Sequence, residues 1–462
     1  MKKKVSLASV LLFVFIAAMV TVGCSDVFLK GGDNFSVSFV TPGNSSSRNA
    51  TGADWSIRAW LELEDGTKLQ NKTTTASAGQ SVSIVFDSVP AGISLQVKVE
   101  LAKGTSIKYA GRSKTMVVKA GNNELSLALQ QVVSDWTSLR EVLYSGGTGN
   151  IYLYGDFIAN ETISGINGSP NLIAYGPVTF TREDGFTGAL IQNSTPWTIS
   201  GSPSSPIAFD GKNESVGNPM ISAEADLTMT YCTMQNNVNT ASSGGAIYVT
   251  DGTLTLENCT FIGNKTTYNL GQGGAVCIEG QTTKSQITSS SFTNNTATYG
   301  GGAIIINGDV SKGTDYIHTL SDCTFNGNSI SGGNGGGIYI YKGLVTINGI
   351  TMTDNTNSNN KNQDIFLYYA STLTLGDTVS IPSLYNNFSS EYPTMRVSQS
   401  FDSASSVGIV LSPASGTTYP TTCQLFTLED GASVFSWVDN FTISGEDGSQ
   451  YTISDYGTIQ KQ

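Results

Sequence analysis

Apolar residues recur at every second position along much of this chain. Phe35-Ser-Val-Ser-Phe-Val40 alternates in this way, and so does Trp60-Leu-Glu-Leu-Glu64 ahead of the Asp65-Gly66 turn. Period-two alternation predicts strands with one buried face. Further runs at Val82 to Phe86, Ile93 to Leu101, Met116 to Lys119 and Leu125 to Leu129 bring the count to about seven, which predicts an antiparallel β-sandwich over 35–130. Two segments break the pattern. Val5 to Val22 is almost wholly apolar behind Lys2, Lys3 and Lys4, the signature of a signal peptide over 1–23. Ser134-Asp-Trp-Thr-Ser-Leu-Arg-Glu-Val-Leu143 places Trp136, Leu139, Val142 and Leu143 on one helical face, with Ser134 or Asp135 as its cap.

Beyond residue 230 the pattern itself repeats. Met234…Asn237, Phe261…Asn264, Phe292…Asn295, Phe325…Asn328 and Met352…Asn355 share the form aromatic-or-Met, two residues, Asn, at intervals of 27, 31, 33 and 27. Between them stand Gly244-Gly-Ala-Ile247, Gly273-Gly-Ala-Val276, Gly301-Gly-Ala-Ile304 and Gly335-Gly-Gly-Ile338. A period of about thirty residues with two or three short strands per unit fits one coil of a β-solenoid. Glycine belongs where φ is positive or two backbones nearly touch. Coils stacked about 4.8 Å apart bring Asn237, Asn264, Asn295, Asn328 and Asn355 over one another as a structural ladder of carboxamides. Cys232, Cys259 and Cys323 lie two residues before the aromatic or Met, so they share its inward face. Only Cys232 and Cys259 occupy adjacent coils, and the expectation is buried free thiols.

The GGA[IV] and FxxN motifs resemble those of the polymorphic outer membrane proteins, whose repeats are thought to form a parallel β-helix; the resemblance covers about 232–357. Right-handed β-helices of the pectate-lyase-like class often begin with a short amphipathic helix such as 134–143, followed by a strand like Ile151-Tyr-Leu-Tyr154. On this basis the fold class is all-β, a sandwich followed by a right-handed parallel β-helix. The helix is expected over 131–384, with some nine coils and a rod about 43 Å long. Residues 385–462 are expected to be terminal coils or a cap; they lack the ten-residue alternating strands of an autotransporter barrel. In the first domain, Phe86-Asp-Ser-Val-Pro-Ala-Gly92 and Val117-Val-Lys-Ala-Gly-Asn122 resemble carboxypeptidase-regulatory, transthyretin-like sandwiches, which implies a spacer or stalk. Thr21-Val22-Gly23-Cys24 resembles a bacterial lipobox with Thr in place of the usual Leu. That resemblance implies acylation of Cys24, a tether over 24–34 and an exported, lipid-anchored protein at the outer membrane or cell surface.

Composition then narrows the function. Charged residues are only 13% of the chain, and the net charge is −12, or −15 once the three lysines of the leader are lost. Such a surface disfavours nucleic acid as a partner. No cysteine spacing suggests a metal, and no cofactor motif is present. Hydrolysis or elimination on a polysaccharide needs paired carboxylates, or an acidic cation site beside a base. The nearest approach is Asp309-Val-Ser-Lys-Gly-Thr-Asp-Tyr-Ile-His318, read as a loop that lengthens its repeat, where Asp309, Lys312, Asp315 and the single His, His318, are weak catalytic candidates. Tyr248, Tyr339, Tyr341, Tyr368 and Tyr369 face outward, either as an aromatic strip for sugar or protein contact or because Tyr favours strands. The leading expectation is a non-catalytic, adhesin-like lipoprotein that binds a host surface protein or glycan. The alternatives are a polysaccharide lyase or glycoside hydrolase, and a structural envelope protein.

Overall fold

The computed structural model describes residues 34–43, 55–147, 149–280, 283–308, 317–369, 371–376, 378–387, 394–397, 404–412, 422–424, 426–428, 438–454 and 458–462. The leader, the tether and Cys24 lie outside them. The chain divides into two compact units at Val132/Val133.

In the first unit, two sheets enclose a core that includes Phe35, Val37, Ile57, Phe86, Val97 and Leu101. One sheet has the order Ser81–Phe86, Phe35–Val40, Asn123–Ser126; the other runs Lys68–Ala76, Trp55–Leu63, Ser94–Lys103, Ser106–Arg112, Gln130–Gln131, with Met116–Val117 beside the central strand. Pairing is antiparallel except where Phe35–Val40 meets Asn123–Ser126 in parallel. Two strands have no counterpart in the hydrophobic pattern. Lys68–Ala76 is a sheet edge exposed on both faces except at Ala76 and a few half-buried positions, so nothing selects apolar alternation there. Ser106–Arg112 is half-buried over most of its length and carries only a short apolar signal.

The second unit is a solenoid of parallel coils. Its first sheet follows the glycine pairs, the second follows a tight turn, and the third carries the aromatic or Met. A fourth, short sheet comprises Ser215–Val216, Val238–Asn239, Lys265–Thr266, Thr296–Ala297 and Ser329–Ile330. In the second sheet an unbroken register runs Ile151, Leu172, Ile199, Met229, Leu256, Ile287, Leu320, Ile347, Leu375, Val397, Leu428, one residue per coil. Nine coils therefore fall before 384 and two follow it. Antiparallel strands Gln450–Ile453, Thr458–Lys461 and Thr422–Gln424 then close the end. At the other end Trp136–Tyr144 is helical, capped by Asp135, with Trp136, Leu139 and Leu143 buried against the first coils.

The third sheet shows why like residues recur. Phe261, Phe292 and Phe325 are fully buried and stack face to face, with centroids 4.8 and 4.7 Å apart and planes within 6° of parallel. Phe157, Phe180 and Phe209 form an earlier column at 4.8 Å. The coils between Tyr231 and Asp354 turn at left-handed corners of three kinds. The first holds Tyr231, Asn258, Ser289, Asp322 and Gly349; the second holds Asn236, Gly263, Asn294, Gly327 and Asp354; the third holds Gly244, Gly273, Gly301 and Gly335. Small polar residues and glycine tolerate that conformation best.

The second glycine of each pair answers a different demand. A Cβ on Gly245 would overlap the carbonyl oxygen of Gly274, one on Gly274 that of Gly302, and one on Gly302 that of Gly336. Coil-to-coil backbone approach, not φ, excludes a side chain there. Gly274→Ala is therefore expected to destabilise the solenoid by ~3 kcal/mol or more. Gly217→Ala, where the nearest contact is Ala241 Cβ at 3.8 Å, should change stability by less than ~0.5 kcal/mol. Urea unfolding midpoints of the two variants check this.

Candidate functional site

Three groups of polar or aromatic side chains stand out in the solenoid. The first is the asparagine column, fully buried at the corner between the third and fourth sheets. Asn264 donates from both its backbone N and its Nδ2 to Asn295 Oδ1 at 3.0 and 3.1 Å. Asn295 does the same to Asn328, and Asn328 to Asn355, at 2.8 to 3.1 Å. Each of these Nδ2 groups, and that of Asn355, also donates to the carbonyl of the aromatic or Met on the preceding coil, as Asn295 does to Phe261 O at 3.0 Å. The link from Asn237 differs: only its backbone N reaches Asn264 Oδ1, at 3.3 Å, while its Nδ2 turns to Asn218 O and Gly245 O.

Both ends of this column carry charge. Arg182 Nη1 donates to Asn237 Oδ1 at 2.6 Å, and its other nitrogens donate to Gly188 O and Pro219 O. Burial pulls the guanidinium down to about 10, and the Glu214 carboxylate opposes that shift. At the far end Asn355 Nδ2 donates to Asp364 Oδ1 at 2.8 Å, while Asp364 Oδ2 accepts from Ser383 N and Oγ at 3.0 and 2.8 Å. Burial pushes the Asp364 carboxyl up, and these hydrogen bonds hold it partly down. From Asn264 to Asn355 the carboxamides point one way, oxygen toward the Arg182 end and nitrogen toward the carboxylate. The signal for Asp364 was in the sequence: Asn362-Gln363-Asp364-Ile365 occupies the place of Gly-Gly-Ala-Ile. Gln363 takes over too, its Oε1 accepting from Gly335 N at 2.6 Å. Arg182, two residues after Phe180, carried no motif.

The second group is His318. Asp309, Lys312 and Asp315 lie outside the described residues, but His318 sits in the strand Ile317–Ser321 and corrects the expectation of a loop residue beside them. It is in phase with Leu320, so its ring points into the core, fully buried. Its column reads Leu254, Ser285, His318, Val345, Leu373. Ser285 Oγ lies 3.2 Å from His318 Nδ1, and among the described residues Nε2 has no partner. Gly308 and Gly343 leave room for the ring: a Cβ on Gly308 would lie 2.9 Å from Nε2. Neither Ser285 nor His318 is exposed to any substrate. Among the described residues no three His, Cys, Asp or Glu side chains gather as a metal site.

The third group lies on the outer side of the first sheet, where Cys277, Ile305, Tyr339, Phe366 and Tyr385 are buried as a second, smaller hydrophobic cluster. Tyr248, Cys277, Ile305, Tyr339, Phe366, Tyr385 and Val410 follow one another in register. Phe366 and Tyr385 escaped the sequence reading, which considered tyrosines singly and not by coil. Around Tyr339 stand Tyr341 at 6.0 Å, Phe366 at 5.6 Å and Tyr368 at 6.3 Å. Tyr341 also meets Tyr368 at 5.4 Å and Tyr369 at 6.2 Å. Tyr339 is buried, Tyr341 and Tyr368 are half-buried, and Tyr369 is 61% exposed with φ of 44°. Burial raises the Tyr339 phenol well above its usual range, and nearby Tyr299, Tyr368 and Tyr341 add to the shift. Tyr248 lies earlier in the column, donating to Glu279 Oε2 at 2.8 Å.

With this geometry in place, comparison with known proteins bears on the fold. Residues 220–379 match the family model described as right handed beta helix region. The solenoid is a right-handed parallel β-helix. No curated protein and no solved structure matches the chain. The matched span contains all five asparagines, all four glycine pairs and the aromatic group as far as Tyr369.

Two outcomes follow. Asn295→Ala leaves the backbone N and Nδ2 of Asn264 without their acceptor in a dry core, an expected loss of about 2–5 kcal/mol in urea unfolding. Burial lowers His318 from 6.5 to about 4, so the unfolded chain binds the proton first as pH falls. Its contribution is whole above pH 6.5 and is lost between there and pH 4, on the order of 3 kcal/mol at most. The difference in unfolding midpoint between the native chain and His318→Val should therefore shrink or reverse across that window.

Proposed function

We propose that this chain is a lipid-anchored, surface-displayed bacterial protein that binds a host protein or glycan through the aromatic face of its β-helix, without catalysis. The single observation behind this reading is the cluster of Tyr339, Tyr341, Phe366, Tyr368 and Tyr369 on the outside of the first sheet. The outer face of the second sheet is dressed differently, with Thr228, Thr255, Gln286, Thr319, Thr346 and Thr374 in register. Tyr339 and Phe366 are buried, with Tyr341 and Tyr368 packed against them, so this face offers a ligand the half-buried Tyr341 and Tyr368 and the exposed Tyr369; Tyr suits contact surfaces because it joins an apolar body to a polar tip. The GGA[IV] and FxxN motifs support kinship with the polymorphic outer membrane proteins, and Thr21-Val22-Gly23-Cys24 supports acylation at Cys24.

A glycan-array and host-protein binding screen on the 25–462 fragment tests the reading. The expected result is a ligand whose affinity falls at least tenfold in Tyr341→Ala/Tyr368→Ala, with the unfolding midpoint changed far less than in Asn295→Ala. Release of unsaturated sugars or new reducing ends from polysaccharides would overturn it in favour of a lyase or glycoside hydrolase. Silence in both assays would favour a structural envelope role. Protease accessibility on intact cells tests the surface display.

A further inference from the structure

The inward column two residues ahead of the aromatic stack places two thiols side by side. Thr233 pairs with Thr260, so Cys232 lies directly beside Cys259 on the next coil. The following step brings Ser290, and only the one after it Cys323. Cys277 faces outward from another sheet. Of the four cysteines whose side chains are described, all free and buried, one pair alone occupies neighbouring rungs.

Coil spacing brings their Cα atoms about 4.8 Å apart, inside the range of about 4.4–6.8 Å that disulfides span, and the two Cα–Cβ bonds need tilt toward each other by only a few tenths of an ångström to bring the Cβ atoms within about 4.5 Å. Their present partners are weak ones: Cys232 Sγ donates to Thr230 O and Cys259 Sγ to Met229 O, each at 3.4 Å. Losing those two protons strands no strong donor or charged acceptor.

We propose that Cys232 and Cys259 form an inter-coil disulfide when the chain folds in the presence of an oxidised dithiol or glutathione disulfide. One cysteine thiolate attacks the oxidant's S–S bond and releases a thiolate from it. The second cysteine thiolate then attacks the protein sulfur of the mixed disulfide and releases the other. One S–S bond forms in the protein and one breaks in the oxidant; two electrons and the two thiol protons pass to the two leaving sulfurs. Both sulfurs are closed to solvent in the folded coil, so exchange takes place during folding. The link encloses a single coil, and because each coil is held only by its neighbours, it staples the solenoid where the motif repeats begin.

The test unfolds the full chain and refolds it with reduced or with oxidised glutathione. The expected result is one cross-linked peptide pair, containing Cys232 and Cys259 and lighter by two hydrogens, only in the oxidised sample. Its urea midpoint should exceed that of the reduced sample, and Cys259→Ser should abolish both the link and the difference. Serine already stands at the next rung as Ser290, so this substitution suits the column; Cys232→Ser serves as the second variant. Thiols that all remain alkylatable after oxidised refolding would overturn the proposal. So would a link through Cys277 or Cys323, or a Cys232–Cys259 link that leaves the midpoint unmoved.

Discussion

A residue in this solenoid meets its own counterpart one coil away, and that repeat distance of about 4.8 Å governs what each position tolerates. Flat rings suit it, since Phe261, Phe292 and Phe325 settle at 4.7 to 4.8 Å. Carboxamides suit it because one amide carries both donor and acceptor and can pass a hydrogen bond along the column. Charges of one sign do not, since each would face its like at close range. The low charge of the chain follows partly from this geometry: every outward column is also a stack, and Thr and Ser stack without repulsion.

A carboxamide ladder has direction, and its ends are left incomplete. The first oxygen needs a donor and the last nitrogen an acceptor, both away from water. Arg182 and Asp364 meet those needs with the sign that the aligned amide dipoles favour. Asp364 ends the aligned carboxamides of Asn264 to Asn355, while Arg182 reaches them through Asn237, whose backbone N carries the link to Asn264. Asp364 arrives where the glycine pair ends, together with Gln363, so the coil that stops the repeat also completes its polar core. Strands continue beyond it, but among the described residues the column gains no further asparagine; there the ladder is shorter than the solenoid.

What could be read in advance tracks how often each constraint recurs. The aromatic column, the Asn ladder and the glycine pairs each appear four or five times with near-identical residues, so chance was easy to reject and the fold followed. The period-two rule placed Phe35–Val40 to the residue. Lys68–Ala76 was missed because an exposed edge selects polarity and not alternation. His318 was weighed as a loop residue for its chemistry, although Ile317-His318-Thr319-Leu320 already put it in phase with buried Leu320. Arg182 was out of reach, because its partner Asn237 lies 55 residues on and only the winding of the chain brings them together.

The same logic separates scaffold from surface. Inward columns must be apolar or fully hydrogen-bonded, whatever the protein does, and so they report on folding alone. Outer faces vary more, and two sheets of one solenoid differ there: the second sheet repeats Thr, while the first buries a second hydrophobic cluster that changes along its length from Cys277 and Ile305 to Tyr339, Phe366 and Tyr385. The change coincides with side chains two or three residues further on, Tyr341, Tyr368 and Tyr369, that enlarge the patch beyond the column itself. Stacking explains a uniform column, since each coil then solves the same packing problem. It does not explain aromatics gathered at one height on one face. A local cluster laid over a regular scaffold is what the proposed binding rests on, since the folding energy of a repeat protein is spread over every coil.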